Sequence, residues 1–136
     1  MTGRLAGRRA IITGAARGIG AEIARTFAAE GAAVAVSGLS ASAAAAVGGT
    51  AHVVDLRDVA ATRVALGDAI GALGGVDVLV NDAGVLRNAP LLEFGADDWD
   101  DMFAVTTRPV LVATQASDDA GHLTGQAINV TGGMVM

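Results

Sequence analysis

Three residue types that many active sites need are missing from this 136-residue sequence. It contains no cysteine and no tyrosine, and its nine basic residues are all arginine, so lysine is absent as well. The missing cysteine excludes disulfides, thiol nucleophiles and thiolate metal sites within these residues. The missing tyrosine and lysine exclude a phenolic acid or base, a Schiff-base amine and a P-loop lysine.

Charge and long apolar runs are also scarce. Charged residues make up 17% of the sequence and the net charge is −5, which argues against nucleic acid because phosphate binding needs a basic surface. No uninterrupted apolar stretch is long enough to span a membrane. The arginines near the N-terminus are not followed by the apolar run and cleavage site of a signal peptide. We therefore expect a cytoplasmic protein that binds neither nucleic acid nor a membrane.

The residues that are present form short apolar runs alternating with helix-like stretches, in a sequence that is 52% hydrophobic. The length suits a single domain over residues 1–136. In the first helix-like stretch, Ile19, Ile23 and Phe27 form one apolar face. The alternation predicts an α/β fold with a parallel sheet and helices on both faces. The predicted strands are 9–13, 33–37, 52–55, 76–80 and 126–130, and the predicted helices are 19–30, 40–47, 58–73 and 97–116.

The first predicted strand leads directly into a glycine-rich turn with glycines at positions 14, 18 and 20. Such glycines allow a tight turn, let the backbone approach a diphosphate and let the next helix lie close to the strand. The N-terminus of that helix then offers free N–H groups to an anion. A P-loop is excluded because no lysine follows the last glycine. A dinucleotide site is favoured, and a purely structural turn stays the alternative.

At this turn the sequence resembles a known family. Thr-Gly-x-x-x-Gly-Ile-Gly at 13–20 resembles the cofactor turn of the short-chain dehydrogenases/reductases, and the resemblance continues through Val54-Asp55, Asn81–Gly84, Trp99–Val105 and Ile128–Val130. It implies a Rossmann-type doubly wound sheet of about five strands in the order 3-2-1-4-5, without the family's later strands and helices. It also implies an NAD(P)(H)-binding protein whose family reaction is hydride transfer between a nicotinamide cofactor and an alcohol or carbonyl.

The resemblance further implies which residues bind the cofactor. Asp55 is expected to accept a hydrogen bond from the adenine amino group, with a strand-end cap as its alternative role. For Asn81 the alternative is a loop hydrogen bond. Asp82 departs from the family pattern, which has a second asparagine there, and adds a negative charge beside the turn. The implied residues are Gly14, Arg17, Gly18, Ile19 and Gly20 at the diphosphate and adenosine ribose, Asp55 and Leu56 at the adenine, and Asn81, Ala83 and Gly84 at the nicotinamide ribose.

The end of the second predicted strand indicates which cofactor is used. NAD-using members usually carry a carboxylate there that holds the ribose 2′-hydroxyl, but this sequence has Gly38. Arg17 lies in the turn, where it can pair with a 2′-phosphate, and Ser37 can add a hydrogen bond. NADP(H) is therefore favoured over NAD(H). If Arg17 only faces solvent, that preference loses its main support.

The catalytic part of the family pattern is incomplete. By resemblance, a Tyr acts as general acid and base with its pKa lowered by a Lys, a Ser holds the substrate oxygen, and a helical Asn supports a proton relay. Thr106-Thr107 stand where the Asn belongs, Thr131-Gly132 stand where the Ser belongs, and the Tyr and Lys positions follow Met136. Thr131 is a weak candidate for a substrate contact, with a strand-end cap as the alternative. We assign no catalytic residue and no metal.

Two functional hypotheses follow. In the first, these residues are the cofactor-binding part of an NAD(P)-dependent oxidoreductase and are catalytically incompetent by themselves. In the second, they form a non-catalytic dinucleotide-binding or oligomerising module, which the departures at Thr106 and Gly132 favour. Uncovered sheet edges and apolar faces promote association. We therefore expect a homo-oligomer that binds a nicotinamide dinucleotide.

Overall fold

The computed structural model describes residues 3–38, 49–119 and 128–129. The helix predicted over 40–47 and the candidate Thr131 lie outside these residues. The strands are β1 (Arg9–Thr13), β2 (Ala33–Gly38), β3 (Thr50–Val53), β4 (Val78–Asn81) and β5 (Ile128–Asn129). The helices are α1 (Gly18–Ala29), α2 (Val59–Leu73), α3 (Ala96–Thr106) and α4 (Arg108–Asp119), with a short 3₁₀ turn at Leu91–Glu93.

All the strand pairs are parallel, and the sheet order is β3-β2-β1-β4-β5. This confirms the predicted α/β fold with a Rossmann-type sheet, although the fifth strand is only two residues long. Beside β1 the chain order changes direction, since β2 lies on one side and β4 on the other. In open parallel sheets, ligands bind at such a switch point, outside the carboxyl ends of the strands.

The hydrophobic core has two halves, one on each face of the sheet. On the first face, Ile12 of β1 packs with Ala24 of α1 and with Val36 of β2. On the other face, Ile11 packs with Leu66 of α2 and with Ala113 of α4. Neighbouring residues of one strand point to opposite faces, so β1 is buried from both sides. The alanines let the helices lie close to the sheet.

Gly31 caps the C-terminal end of helix α1. This glycine has φ +91, its N–H donates to the carbonyl of Ala28, and the next N–H, of Ala32, donates to Phe27. These are the two hydrogen bonds of a Schellman motif, which favours glycine in the left-handed region. At the other end of the helix, Ile19 was expected on the buried face but is 53% exposed. It lies in the first turn, beyond the end of β1, where no strand covers it.

The single helix predicted over 97–116 is wrong. The structure has two helices there, α3 and α4, separated by Thr107, which has φ −106. Pro109 explains the break, because proline lacks an N–H and its ring clashes with the carbonyl four residues earlier in a continuous helix. In the first turn of a new helix the missing N–H has no cost, and α4 begins at Arg108.

Arg9, the first residue of β1, is bound to Asp77, which directly precedes β4, at the end of the sheet opposite the switch point. Both guanidinium nitrogens Nε and Nη2 of Arg9 donate to the Asp77 carboxylate at 2.9 Å, and the Arg9 backbone N–H donates to it at 2.9 Å. The Arg9 guanidinium, followed by that backbone N–H, lowers the pKa of Asp77 from 3.8 to about 2. The pair therefore stabilises the folded chain only while Asp77 is ionised.

We expect Asp77→Asn to lower the urea midpoint of unfolding at neutral pH. Because the folded-state pKa lies below the unfolded one, the stabilisation is fully present above about pH 4 and is lost as the pH falls through about 2. The difference in urea midpoint between the wild-type chain and Asp77→Asn should therefore shrink as the pH falls from about 4 through about 2. Urea titrations monitored by circular dichroism check this. The exposed Asp68→Asn is the control, and an equal loss in that variant would contradict the assignment.

Among the residues that the structure describes, no helix is long and apolar enough to cross a membrane.

Candidate functional site

Three buried polar side chains lie side by side where the central strands end. Thr13 of β1 is in register with Ser37 of β2 and with Asn81 of β4, and all three are buried. These polar groups therefore lie next to the switch point, at the carboxyl ends of the central strands. Their hydrogen-bond partners determine how the glycine-rich turn after β1 and the loop after β4 are held.

The hydroxyl of Thr13 holds the loop that follows β4. Its Oγ1 accepts hydrogen bonds from the backbone N–H groups of Asp82 and Ala83, at 3.2 and 3.3 Å, and donates to the carbonyl of Val80 at 3.5 Å. Sequence reasoning quoted Thr13 as part of the motif but gave it no role. Its partners are about 70 residues away in the sequence, so only the sheet order reveals them.

The loop after β4 also requires a glycine at position 14. It has φ +71, and a Cβ added to it would lie 2.5 Å from Ala83 Cα and 2.7 Å from Ala83 N. Its own N–H donates to the carbonyl of Ser37 at 2.8 Å. No other residue type combines this left-handed backbone with such a close approach. The glycine-rich turn is therefore locked to both neighbouring strands.

Gly18 and Gly20 have different reasons to be glycine. Gly18 has φ +61 but open space within 4 Å of an added Cβ, so only its backbone conformation requires glycine. At Gly20, an added Cβ would lie 2.9 Å from the Gly14 carbonyl oxygen and 2.5 Å from Asp82 Oδ2. Gly20 thus lets the first turn of α1 lie against the turn and against the loop after β4.

Arg17 stands directly before helix α1 as its N-cap residue. Its backbone is extended, with φ −161 and ψ 174, and its side chain does not cap the helix. Arg17, Gly18 and Ile19 are all exposed, and Arg17 forms no ion pair with any residue in the described ranges. A cation and the positive end of a helix dipole therefore face outward together.

Two of the buried polar groups lack hydrogen bonds. The hydroxyl of Ser37 and both side-chain amide atoms of Asn81 have no partner within the part of the chain that the structure describes. An unsatisfied buried polar group costs about 1–3 kcal/mol, so such groups in a native structure call for a reason. Their position at the switch point is consistent with a polar ligand there.

Asp55, expected at the adenine, follows β3 and is exposed. Its Oδ1 accepts the backbone N–H of Arg57 at 3.0 Å and the Arg57 guanidinium at 3.2 Å, while Oδ2 has no hydrogen bond to a described residue. The strand-end cap that was the alternative role is therefore present, and one carboxylate oxygen stays available. Leu56, expected against the adenine ring, is only 6% exposed, which leaves little surface for a ring.

Arg57 also reaches across to helix α3. Its Nε and Nη2 donate to the Asp101 carboxylate at 2.5 and 3.1 Å, and Arg87 lies 3.6 Å from the same carboxylate and 3.3 Å from Asp98. The Arg57 guanidinium is the main cause that lowers the pKa of Asp101. Two of the four aspartates in the first turns of α3, Asp98 and Asp101, are therefore ion-paired. Their partners are distant in sequence, so the pairing was invisible there.

The loop after β4 is held from its other side by Thr106 of α3. Thr106 Oγ1 accepts the N–H of Val85 at 3.2 Å and donates to the Val85 carbonyl at 3.3 Å. Gly84 is exposed, and a Cβ added to it would lie 3.5 Å from Thr106. Thr106 occupies the position at which the resemblance implies an asparagine. Its hydroxyl proton is committed to Val85, so it serves the loop.

No group of three or more His, Cys, Asp or Glu side chains that could hold a metal occurs within the described residues. One carboxylate does lie inside the site. Asp82 is half-buried beside α1, and burial raises its pKa, an effect partly offset by a hydrogen bond from the Gly20 N–H.

Comparison with known proteins identifies the family. The family model described as short chain dehydrogenase matches residues 8–134. D-threitol dehydrogenase of Mycolicibacterium smegmatis is 39% identical over 122 residues, which is 83% of this chain and 47% of that protein. L-xylulose reductase of Bos taurus is 43% identical over 117 residues, 82% of this chain and 46% of that protein.

Solved structures agree. A short chain dehydrogenase from Burkholderia cenocepacia, in complex with NADP, has a TM-score of 0.78 and 42% identity, and the match covers 88% of this chain and 52% of that one. The short-chain dehydrogenase/reductase from Serratia marcescens has a TM-score of 0.82 and 38% identity, covering 92% and 55%. This chain spans about half the length of the relatives it matches. The chain belongs to the short-chain dehydrogenase family.

Proposed function

We propose that this chain is the dinucleotide-binding part of an oxidoreductase that transfers hydride between a nicotinamide cofactor and an alcohol or carbonyl. The observation that carries the proposal is the contact between Gly14 and Ala83, where an added Cβ would lie 2.5 Å from backbone. It holds the glycine-rich turn and the loop after β4 together at the switch point. Relatives with names such as D-threitol dehydrogenase and L-xylulose reductase support the alcohol or carbonyl substrate class.

The residues around this contact suit a dinucleotide. The exposed N-terminus of α1, at Gly18 and Ile19, offers backbone N–H groups and a positive dipole end to a diphosphate. Asp55 Oδ2 is available to accept a hydrogen bond from the adenine amino group. Asn81, with its amide atoms unpartnered among the described residues, lies below the loop that carries Ala83 and Gly84. When bound, the nicotinamide supplies the carbon that gives or accepts hydride.

We further propose NADP(H) over NAD(H). Gly38 ends β2 and lies near Ala16 of the turn, with 3.6 Å between an added Cβ and the Ala16 Cβ, so no carboxylate stands there to hold a ribose 2′-hydroxyl. The exposed Arg17 is free of described ion pairs and suits a 2′-phosphate. The buried Ser37, which directly precedes Gly38, adds a hydroxyl that can form a hydrogen bond. The NADP bound to the Burkholderia cenocepacia relative supports the same choice.

Fluorescence titration with NADPH and NADH tests both proposals. We expect saturable binding of both, and we expect Arg17→Ala to weaken NADPH about tenfold while changing NADH about twofold or less. Arg25→Ala is the matched control, because Arg25 is an exposed arginine farther along α1 that pairs with Glu22. Absence of saturable binding overturns the dinucleotide proposal. Equal losses for NADPH and NADH in Arg17→Ala overturn only the NADP(H) preference.

A second candidate is a non-catalytic dinucleotide-binding module. The observation that favours it is Thr106, whose hydroxyl is committed to Val85 in a sequence that has neither tyrosine nor lysine. Binding without turnover by this chain is expected of both candidates, because neither tyrosine nor lysine is present. Steady oxidation of NADPH by this chain with a sugar ketone such as L-xylulose would contradict the non-catalytic module.

The proposed homo-oligomer draws support from exposed apolar side chains. Trp99 and Phe103 of α3 stack with their ring centroids 4.9 Å apart, and both remain largely exposed, as does Leu111 of α4. Contiguous exposed apolar surface favours association. Self-association through α3 and α4 stays a proposal.

A further inference from the structure

The carboxylate of Asp82 is built into the end of the site that would receive an anion. The Asp82 backbone N–H is held by the Thr13 hydroxyl at 3.2 Å, and its carbonyl carbon lies 3.0 Å from the position of a Cβ on Gly14. Its Oδ2 lies 2.5 Å from the position of a Cβ on Gly20. The side chain is therefore confined against the first turn of α1, whose Gly20 N–H donates to it.

No arginine neutralises this carboxylate. The other aspartates near the site, Asp55 and Asp101, are paired with Arg57, and Asp77 is paired with Arg9. Asp82 forms no ion pair within the described residues. Burial raises its pKa, and the Gly20 N–H lowers it in part.

The elements packed around Asp82 contribute neutral groups. β1 presents the Thr13 hydroxyl, α1 presents the Gly20 backbone, and β4 ends in the neutral amide of Asn81. The single charge of the glycine-rich turn is Arg17, which is exposed. A ligand diphosphate at the N-terminus of α1 therefore meets one carboxylate that forms no ion pair with any described residue.

We propose that Asp82 is an affinity-determining residue that disfavours anionic ligands at the N-terminus of α1, so that a dinucleotide binds best when this carboxyl is neutral. The inference rests on the proposed dinucleotide function, and it gives the departure at position 82 a physical consequence. Two like charges close together in a partly desolvated site repel strongly. A bound diphosphate therefore favours the protonated carboxyl, so binding takes up a proton at a pH above the pKa of the free Asp82 carboxyl and strengthens as the pH falls.

The test compares the wild-type chain with Asp82→Asn, which keeps the shape and removes the charge. At about pH 8 and low salt, we expect Asp82→Asn to bind NADPH about tenfold more tightly. Asp68→Asn is the matched control, since Asp68 is an exposed aspartate on α2 and its removal changes the net charge equally. That control should bind within about twofold of the wild-type chain.

The pH dependence supplies a second measurement. Burial already raises the pKa of Asp82, so its charge is present above that pKa and is lost as the pH falls through it. We expect the affinity ratio of Asp82→Asn to wild type, measured with NADP⁺ by calorimetry, to fall from its value at about pH 8 toward one as the pH is lowered through the pKa of Asp82. The ratio cancels any titration of the ligand itself, because both chains bind the same molecule.

The possible outcomes distinguish a failure of the Asp82 inference from a failure of the proposed dinucleotide function. Equal affinities of wild type and Asp82→Asn at every pH, or weaker binding by Asp82→Asn, overturn this inference and leave the proposed function intact. Absence of saturable binding by all variants overturns the proposed function and this inference with it. If Asp82→Asn does not fold, as judged by circular dichroism, Asp82→Ser removes the same charge and carries the same expectation.

Discussion

Gly14→Ala is expected to lower the free energy of unfolding by about 3 kcal/mol or more, and to abolish dinucleotide binding by the chain that remains folded. Alanine at φ +71 is strained, and its Cβ would lie 2.5 Å from Ala83 Cα. Both atoms in that contact belong to backbone, so no side-chain rotation relieves it. The loop after β4 has to move, and it then leaves the Thr13 hydroxyl that holds it.

Substitutions at two further glycines distinguish the backbone strain of a positive φ from a steric clash of the added Cβ. Gly18 has a similar positive φ, but there is open space around an added Cβ. We therefore expect Gly18→Ala to lower the free energy of unfolding by only about 1 kcal/mol. Gly67→Ala, in the middle of α2 with open space around it, should stabilise the chain by about 0.5–1 kcal/mol. Urea unfolding monitored by circular dichroism measures all three. A cost for Gly14→Ala no larger than that for Gly18→Ala would contradict the packing between the turn and the loop.

Leu66→Ala is the second large effect, with an expected loss of about 2–5 kcal/mol in the free energy of unfolding. Leu66 is 1% exposed and packs with the β-sheet residues Ile11 and Leu79 in the core on the α2 face. The truncation removes buried apolar surface and leaves a cavity between the helix and three strands. The loss falls at the small end of the range if Ala113 of α4 shifts into the space.

Val64→Ala is the matched control on the same helix. Val64 is 64% exposed, because it lies half a turn from Thr62 and Leu66, the residues that face the sheet. We expect this change to alter the free energy of unfolding by about 0.5 kcal/mol or less. The same urea titrations compare the two variants. Comparable losses for Leu66→Ala and Val64→Ala would show that α2 does not pack by the face described.

Local signals accounted for much of the fold. β1 begins at Arg9 and ends at Thr13 as predicted, and α1 differs from its predicted bounds by one residue at each end. These elements are marked by short apolar runs, by periodicity and by glycine, all of which act over a few neighbouring residues. The break between α3 and α4 was not predicted, although Pro109 lacks the N–H that a continuous helix needs at that position.

In the candidate site, too, some features could be predicted from the sequence and others could not. The glycines at 14, 18 and 20 were recognised from their spacing, but the contacts that require glycine at 14 and 20 involve Ala83 and Asp82 of the loop after β4. Thr106 was interpreted as a lost catalytic position, and only the structure shows that its hydroxyl holds Val85. These contacts join residues far apart along the chain, so no local pattern records them.

The sequence alone therefore determined the parallel α/β fold, the glycine-rich turn at its first strand, and the absence of tyrosine, lysine and cysteine from these residues. It determined them because strand and helix periodicity, turn glycines and composition are properties of neighbouring residues. Only the tertiary structure decided that Thr13 holds the loop after β4, that Arg57 binds Asp101, and that Asp82 lies against α1 with no ion pair to a described residue. Those contacts exist because the sheet order β2-β1-β4 brings distant strand ends together.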